Sequence, residues 1–179
     1  MVDAARTSVN AMHRWADVEV VVADAVALPL PDAAVDTTMA VHMLYHLANP
    51  IAGLKEMARI TRSGGSVAVV LNPAGTMGEL SALARSAFEG STSGLPETLS
   101  SEDGLALMQL VFAEVEVIRY DDMLRVTDPA DLIGYLASLP AADKPGAMER
   151  LVASVSDAFR GSNGVFKISK ASEVLLGRQ

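Results

Sequence analysis

The stretch VEVVVADAVALPLPDAAVDTTMAVHMLYHLANP, residues 18–50, decides the fold. It opens on Val18–Ala23, a β-branched run bounded by Asp17 and Asp24. Unbroken apolar runs of this length predict a strand buried on both faces, as in parallel sheets. Leu28–Asp32, LPLPD, follows as a loop with two prolines. Asp36–Val41, DTTMAV, predicts a second strand, and Asn49-Pro50 opens a helix as a cap followed by proline in the first turn. Strand, loop, strand and helix in this order predict an α/β domain.

The flanking sequence extends the alternation. Upstream, Ala5, Val9, Met12 and Ala16 fall on one stripe and predict a helix over residues 3–16. Downstream, Ile51, Leu54, Met57, Ala58 and Thr61 form the inner face of the helix that starts at Pro50, and Gly64-Gly65 stops it. Ser66–Leu71, SVAVVL, is a third strand. Apolar stripes predict helices around Leu80–Phe88, Leu105–Phe112, Asp128–Leu139 and Met148–Phe159. Strand candidates lie at Glu114–Tyr120, Met123–Val126, Val165–Ser169 and Val174–Leu176. The expected architecture is a mostly parallel sheet covered on both faces. Gly90–Ser100 and Pro140–Gly146 are too short to separate domains, so residues 1–179 read as a single domain.

Composition narrows the function. The chain has 179 residues, half of them hydrophobic, which excludes a wholly disordered polymer. A net charge of −8, with no Lys/Arg cluster, argues against nucleic acid or an anionic membrane surface as partner. No apolar run is long enough to span a bilayer, and Met1-Val2-Asp3 lacks the basic start of a signal peptide. With no cysteine, thiolate catalysis and cysteine-ligated zinc are excluded, and a reducing cytoplasm suits the composition.

Few residues carry chemistry. Asp24 ends the first strand, where ligands of open α/β sheets sit, and Asp24 with the Ala25 N–H can read an adenine edge. The bland alternative is an ordinary loop aspartate. His42 and His46 stand four apart in VHMLYHL, a spacing that places metal ligands on one helix face. The zinc-protease pattern needs a Glu after the first His, where this chain has Met43, and His13 is the only other histidine. No metal is therefore expected. The two imidazoles are either structural, at a strand-to-helix corner, or line a pocket where one can accept a proton. Glu56 and Arg59 read as a solvated i, i+3 pair. The methionines at 39, 43, 57, 77, 108, 123 and 148 read mostly as core filler.

Taken in order, these marks form a recognisable series: strand, Asp24-Ala25, LPLPD, Val35-Asp36 with its strand, HMLYH at 42–46, Glu56 and Arg59, Gly64-Gly65, strand. The series resembles class I S-adenosylmethionine (SAM)-dependent methyltransferases of the methyltransferase-11 type, in the subgroup with an HMLYH corner. The resemblance is strong over residues 18–72 and weaker beyond. It implies a three-layer Rossmann-like sheet in the order 3-2-1-4-5-7-6, with the last strand antiparallel. It also implies SAM as cofactor, a small-molecule methyl acceptor, and acceptor-side helices and loop within residues 77–160. Asp24 and Ala25 match the adenine contacts, and Val41 and His42 match the corner near the methionine moiety. Tyr45 and His46 would face the acceptor, with His46 or His42 as the candidate catalytic base.

Three departures qualify that resemblance. Val41 stands where the subgroup commonly has Asn, and Ser63 where the family has Pro before Gly-Gly. No G-x-G-x-G turn occurs in the 179 residues. Met1–Arg6 resembles the helix start that follows the family's second strand, so the expected sheet lacks its first two strands and the SAM site is impaired. The edges this would open favour a homo-oligomer. A non-catalytic, methyltransferase-like interaction or oligomerisation module is the alternative reading.

Overall fold

The computed structural model describes residues 2–11, 18–89 and 99–179. Its elements run in the order α1 (Val2–Ala11), β1 (Val35–Val41), α2 (Pro50–Ile60), β2 (Thr61–Leu71), α3 (Gly78–Ala87), α4 (Ser101–Met108), β3 (Val115–Val126), α5 (Pro129–Ala137), α6 (Ala147–Gly161) and β4 (Phe166–Arg178). The four strands form one sheet in the order β1-β2-β4-β3. β1 runs parallel to β2, while β4 is antiparallel to both β2 and β3. The sheet is therefore mixed rather than mostly parallel. Its order and directions reproduce the 4-5-7-6 end of the seven-stranded sheet that the resemblance implies.

The start of α2 follows its sequence signals. Asn49 Oδ1 accepts the Ala52 N–H at 3.1 Å and Pro50 occupies the first turn. Leu54, Met57 and Ala58 are buried beneath β1 and β2. The helix ends at Ile60, earlier than Gly64-Gly65. Thr61 turns extended, its hydroxyl donates to the Met57 carbonyl at 2.7 Å, and the chain passes directly into β2. The glycines instead shape a bulge. Partners jump from Val35–Thr61 to Thr37–Ser66, Gly64 has φ +75°, and a Cβ on Gly65 would lie 2.6 Å from the Asp36 carbonyl oxygen.

Val18–Ala23 is a clear correction. The segment belongs to no strand of the sheet, and Val21 and Val22 are 61% and 72% exposed. β-branched residues favour strands only where a neighbour supplies a ladder and a surface to pack on. The sequence around Tyr120-Asp121-Asp122 also misleads. The two strand candidates there are one strand, β3, and the two C-terminal candidates are one strand, β4, joined by twelve consecutive pairs from Val115–Gly177 to Val126–Phe166. The helix read over residues 3–16 is described as far as Ala11, and the rest of that reading lies outside the described residues. So does the loop over 90–98.

Two apolar clusters hold the elements together. One packs Leu44, Leu54, Val67, Val69, Leu71, Met108, Phe112 and Leu175 between the sheet and helices α2 and α4. The other joins α3, α5 and α6 to Ile168 through Leu80, Leu83, Leu132, Leu136, Leu151, Val155 and Phe159. Ser100 caps α4 through the Asp103 N–H, and Asp128 caps α5 through the Ala130 N–H. No described helix is long and apolar enough to cross a membrane.

Candidate functional site

The parallel pair β1–β2 sets the position of the site. β1 ends at Val41, and the His42 N–H still bonds the Val70 carbonyl of β2 at 3.1 Å. His42 then takes φ +48°, a left-handed conformation that costs a non-glycine residue about 1–2 kcal/mol. This turn swings the chain off the sheet into a single 3₁₀ turn at Leu44–His46, anchored by the fully buried Leu44. The two histidines therefore sit on different elements and share no helix face. His42 and Tyr45 are half-buried, His46 is exposed, and the Tyr45 and His46 rings lie 4.5 Å apart at 57°.

Asp24 reaches the same region from the other side. Its Oδ1 accepts the Val26 N–H at 3.0 Å and its carbonyl accepts the Ala27 N–H at 3.0 Å, closing a turn over residues 24–27. Asp24 is exposed at the end of an open segment rather than at the end of a buried strand. Ala25 is half-buried and lines a cavity of about 190 Å³ with Leu28, Met39, Ala40, Met43 and Met57. Ala25 and the corner preceding the 3₁₀ turn thus meet at one apolar slot, with the Asp24 turn beside it. Of the residues singled out in the sequence for cofactor or acceptor, Ala25 lines this cavity, whereas Asp24, Val41, His42, Tyr45 and His46 are not among its walls. Sequence reasoning assigned Met39, Met43 and Met57 to core packing, whereas all three line this cavity and Met39 is 62% exposed.

A network behind the slot also escaped sequence reasoning. Glu56 accepts the Leu28 N–H at 2.7 Å and pairs side-on with Arg59, with Oε1 to Nη2 at 2.7 Å and Oε2 to Nε at 2.9 Å. Arg59 also donates to Asp32 at 2.6 Å and to the Leu28 carbonyl at 3.3 Å. The Arg59 guanidinium, then the Leu28 N–H, holds the Glu56 carboxyl down at about 2. Arg59 is shifted upward in turn by Glu56 and Asp32. The i, i+3 spacing revealed the pair; the only sequence signal for its third member was an aspartate closing LPLPD.

A second, polar depression of about 320 Å³ lies between the Pro73–Thr76 turn and the antiparallel β3–β4 pair. Arg119 there is already paired with Asp121 at 2.9 Å and Glu173 at 3.1 Å. Among the described residues, no three His, Asp or Glu side chains come together in a metal-holding group.

Comparison with known proteins agrees with this arrangement. Residues 1–69 match a family described as a methyltransferase domain. The fold resembles that of a protein from Bacillus halodurans C-125 described as a methyltransferase, with TM-score 0.63 and 14% identity over 99% of this chain and 78% of that one. It also resembles a protein from Anabaena variabilis ATCC 29413, described as a methyltransferase from an antibiotic biosynthesis pathway. The TM-score there is 0.64, with 15% identity over 92% of this chain and 74% of that one. The YcgJ protein of Bacillus subtilis gives 0.58 at 13% identity, covering 100% and 79%. At these identities the structural likeness carries the fold. The family match over residues 1–69 and the structural likeness agree on a methyltransferase-type α/β fold.

Proposed function

We propose that this chain builds the adenine end of a SAM site and the acceptor-facing corner of a methyltransferase acting on a small molecule. The observation that carries the reading is the meeting of Ala25 and Met43 at one apolar slot with the Asp24 carboxylate exposed beside it. Such a slot suits a purine face, and Asp24 with the Ala25 N–H suits its hydrogen-bonding edge. The residues present therefore fit the adenine end of the cofactor. Bound SAM supplies an activated methyl group on a sulfonium centre. The chain's own contribution is alignment of the acceptor and, for an O–H or N–H acceptor, removal of its proton. On this reading Val41 and His42, outside the slot's own lining, lie toward the methionine end. Tyr45 positions the acceptor, and exposed His46, or His42, takes its proton.

The 179-residue sequence offers no G-x-G-x-G turn for the methionine end and, on the resemblance, no acid for the ribose hydroxyls. Charge-assisted hydrogen bonds contribute about 1.5–3 kcal/mol each, so losing two or three weakens binding by several powers of ten. We therefore infer weak cofactor binding by this chain alone. The cysteine-free composition suits a cytoplasmic enzyme. Titration with S-adenosylhomocysteine, comparing the wild type with Asp24→Asn, tests the reading: affinity that depends on Asp24 supports it, and affinity indifferent to Asp24 overturns it.

A second reading rests on a separate observation. Among the described residues β1 is an end strand of the sheet, and Met39 and Val41 on it are 62% and 53% exposed. An open apolar strand edge favours self-association. This supports a homo-oligomer, or a methyltransferase-like module whose role is association. Absence of any S-adenosylhomocysteine binding, together with a stable dimer, would select it.

A further inference from the structure

We infer that Glu56 and Arg59 are positioning residues for the cofactor's adenine end, acting through Leu28 to set the Asp24–Ala27 turn. The inference rests on the reading of that turn as the adenine contact. Its physical basis is how the segment from Val18 to Ala34 is held. No sheet ladder supports it, and Val18, Val21 and Val22 lie exposed. Arg6 of α1 donates to the Val20 carbonyl at 3.3 Å, and the part from Leu28 onward is anchored by α2. Glu56 accepts the Leu28 N–H, and Arg59 grips the Leu28 carbonyl and the Asp32 carboxylate. The Arg59 backbone carbonyl accepts the Ala33 N–H at 2.9 Å. Leu28 immediately follows the turn that Asp24 and Ala27 close, and its side chain shares the cavity wall with Ala25. Fixing Leu28 at both its N–H and its carbonyl fixes the plane from which that turn projects.

The geometry makes the anchor directional. A side-on carboxylate–guanidinium pair holds both groups in one plane, and a lysine cannot reproduce it. Glu56 is only 12% exposed and Arg59 33%, so water competes weakly for these bonds. Glu56 and Arg59 do not line the cavity themselves, which makes them positioning groups rather than cofactor contacts.

The test uses the full 179-residue chain with adenosine as probe, measured by NMR titration, and amide hydrogen exchange in its absence. Glu56→Gln and Arg59→Lys are expected to speed exchange at Val26, Ala27 and Leu28 while β2 amides such as Val67 and Val69 keep their protection. Adenosine affinity is expected to fall about tenfold or more, in line with the loss of a charge-assisted bond. Asp32→Asn, on a side chain 81% exposed, provides a milder variant if the other two melt, with a smaller change of the same sign. Faster exchange at the turn with unchanged adenosine affinity would overturn the positioning role and leave the adenine reading standing. Uniformly faster exchange across β2 and the turn would reduce the pair to general stability and overturn it as well. If the wild type binds no adenosine at millimolar concentration while the turn is still ordered by Glu56, the adenine reading itself fails and the inference falls with it.

Discussion

Glu56, in the middle of α2, accepts a 2.7 Å hydrogen bond from the backbone N–H of Leu28, which lies 28 residues earlier in the chain. That contact, with the Arg59 bonds to Leu28 and Asp32, ties the segment carrying Asp24 to a helix whose start and inner face are plain in the sequence. Its electrostatics give the first prediction. Arg59, then Leu28, lowers the Glu56 carboxyl from 4.5 to about 2. A carboxylate depressed on folding stabilises the fold above its unfolded value, and that stability is lost as pH falls toward the folded value. The urea midpoint of Glu56→Gln should therefore lie below that of the wild type at neutral pH. The gap should close between 4.5 and about 2. A gap unchanged across that range would show that the charge of Glu56 is not what holds the loop.

The corner supplies a second prediction. His42 holds φ +48°. Replacing it with glycine removes a left-handed penalty and adds unfolded-state entropy, terms of about 1 kcal/mol each with opposite sign. His42→Gly should accordingly melt within about 1 kcal/mol of the wild type, whereas β-branched His42→Val should lose about 1–2 kcal/mol or more. Chemical denaturation measures both; equal losses would mean the backbone at this position is not strained.

For catalysis, the proposed function assigns the acceptor's proton to His46, which is exposed with its ring 4.5 Å from that of Tyr45. With a complete cofactor site, His46→Ala is expected to lower kcat by about 10² or more and leave cofactor affinity unchanged. Unchanged turnover accompanied by a lower melting temperature would assign His46 to structure instead.

The β1 edge yields a prediction about assembly. Thr37 is exposed on that strand and lies outside the cavity wall. Light scattering at tens of micromolar should report a species larger than one chain, and Thr37→Lys, which places a charge on the edge, should return it toward a monomer. A wild type that stays monomeric under the same conditions would remove the case for edge pairing.

Much of this was legible in the sequence because it depends on local signals. Asn49-Pro50 caps α2, and apolar stripes mark α3, α5 and α6. The valine run of β2 is central and buried. What was not legible depends on partners. Val18–Ala23 has the composition of a strand but, among the described residues, no neighbour to pair with. Asp121-Asp122 looked like a break, yet a lateral strand tolerates outward acids, here paired with Arg119 and Lys170. The Glu56–Arg59 pair was visible as an i, i+3 spacing, whereas its grip on Leu28 and Asp32 is a tertiary fact that spacing cannot encode. Of the candidate site residues, the sequence pointed to Ala25, which lines the cavity, but not to the cavity itself, because its walls Met39, Met43 and Met57 looked like ordinary core.

The most direct test of the account is an NMR-monitored titration of the 179-residue chain with S-adenosylhomocysteine, repeated on Asp24→Asn. The account predicts weak, millimolar binding, with shifts confined to Asp24–Leu28 and Val41–Met43 and a further loss of affinity in Asp24→Asn. Shifts centred instead on the Arg119–Asp121 depression, no shifts at all, or tight micromolar binding indifferent to Asp24→Asn would contradict it.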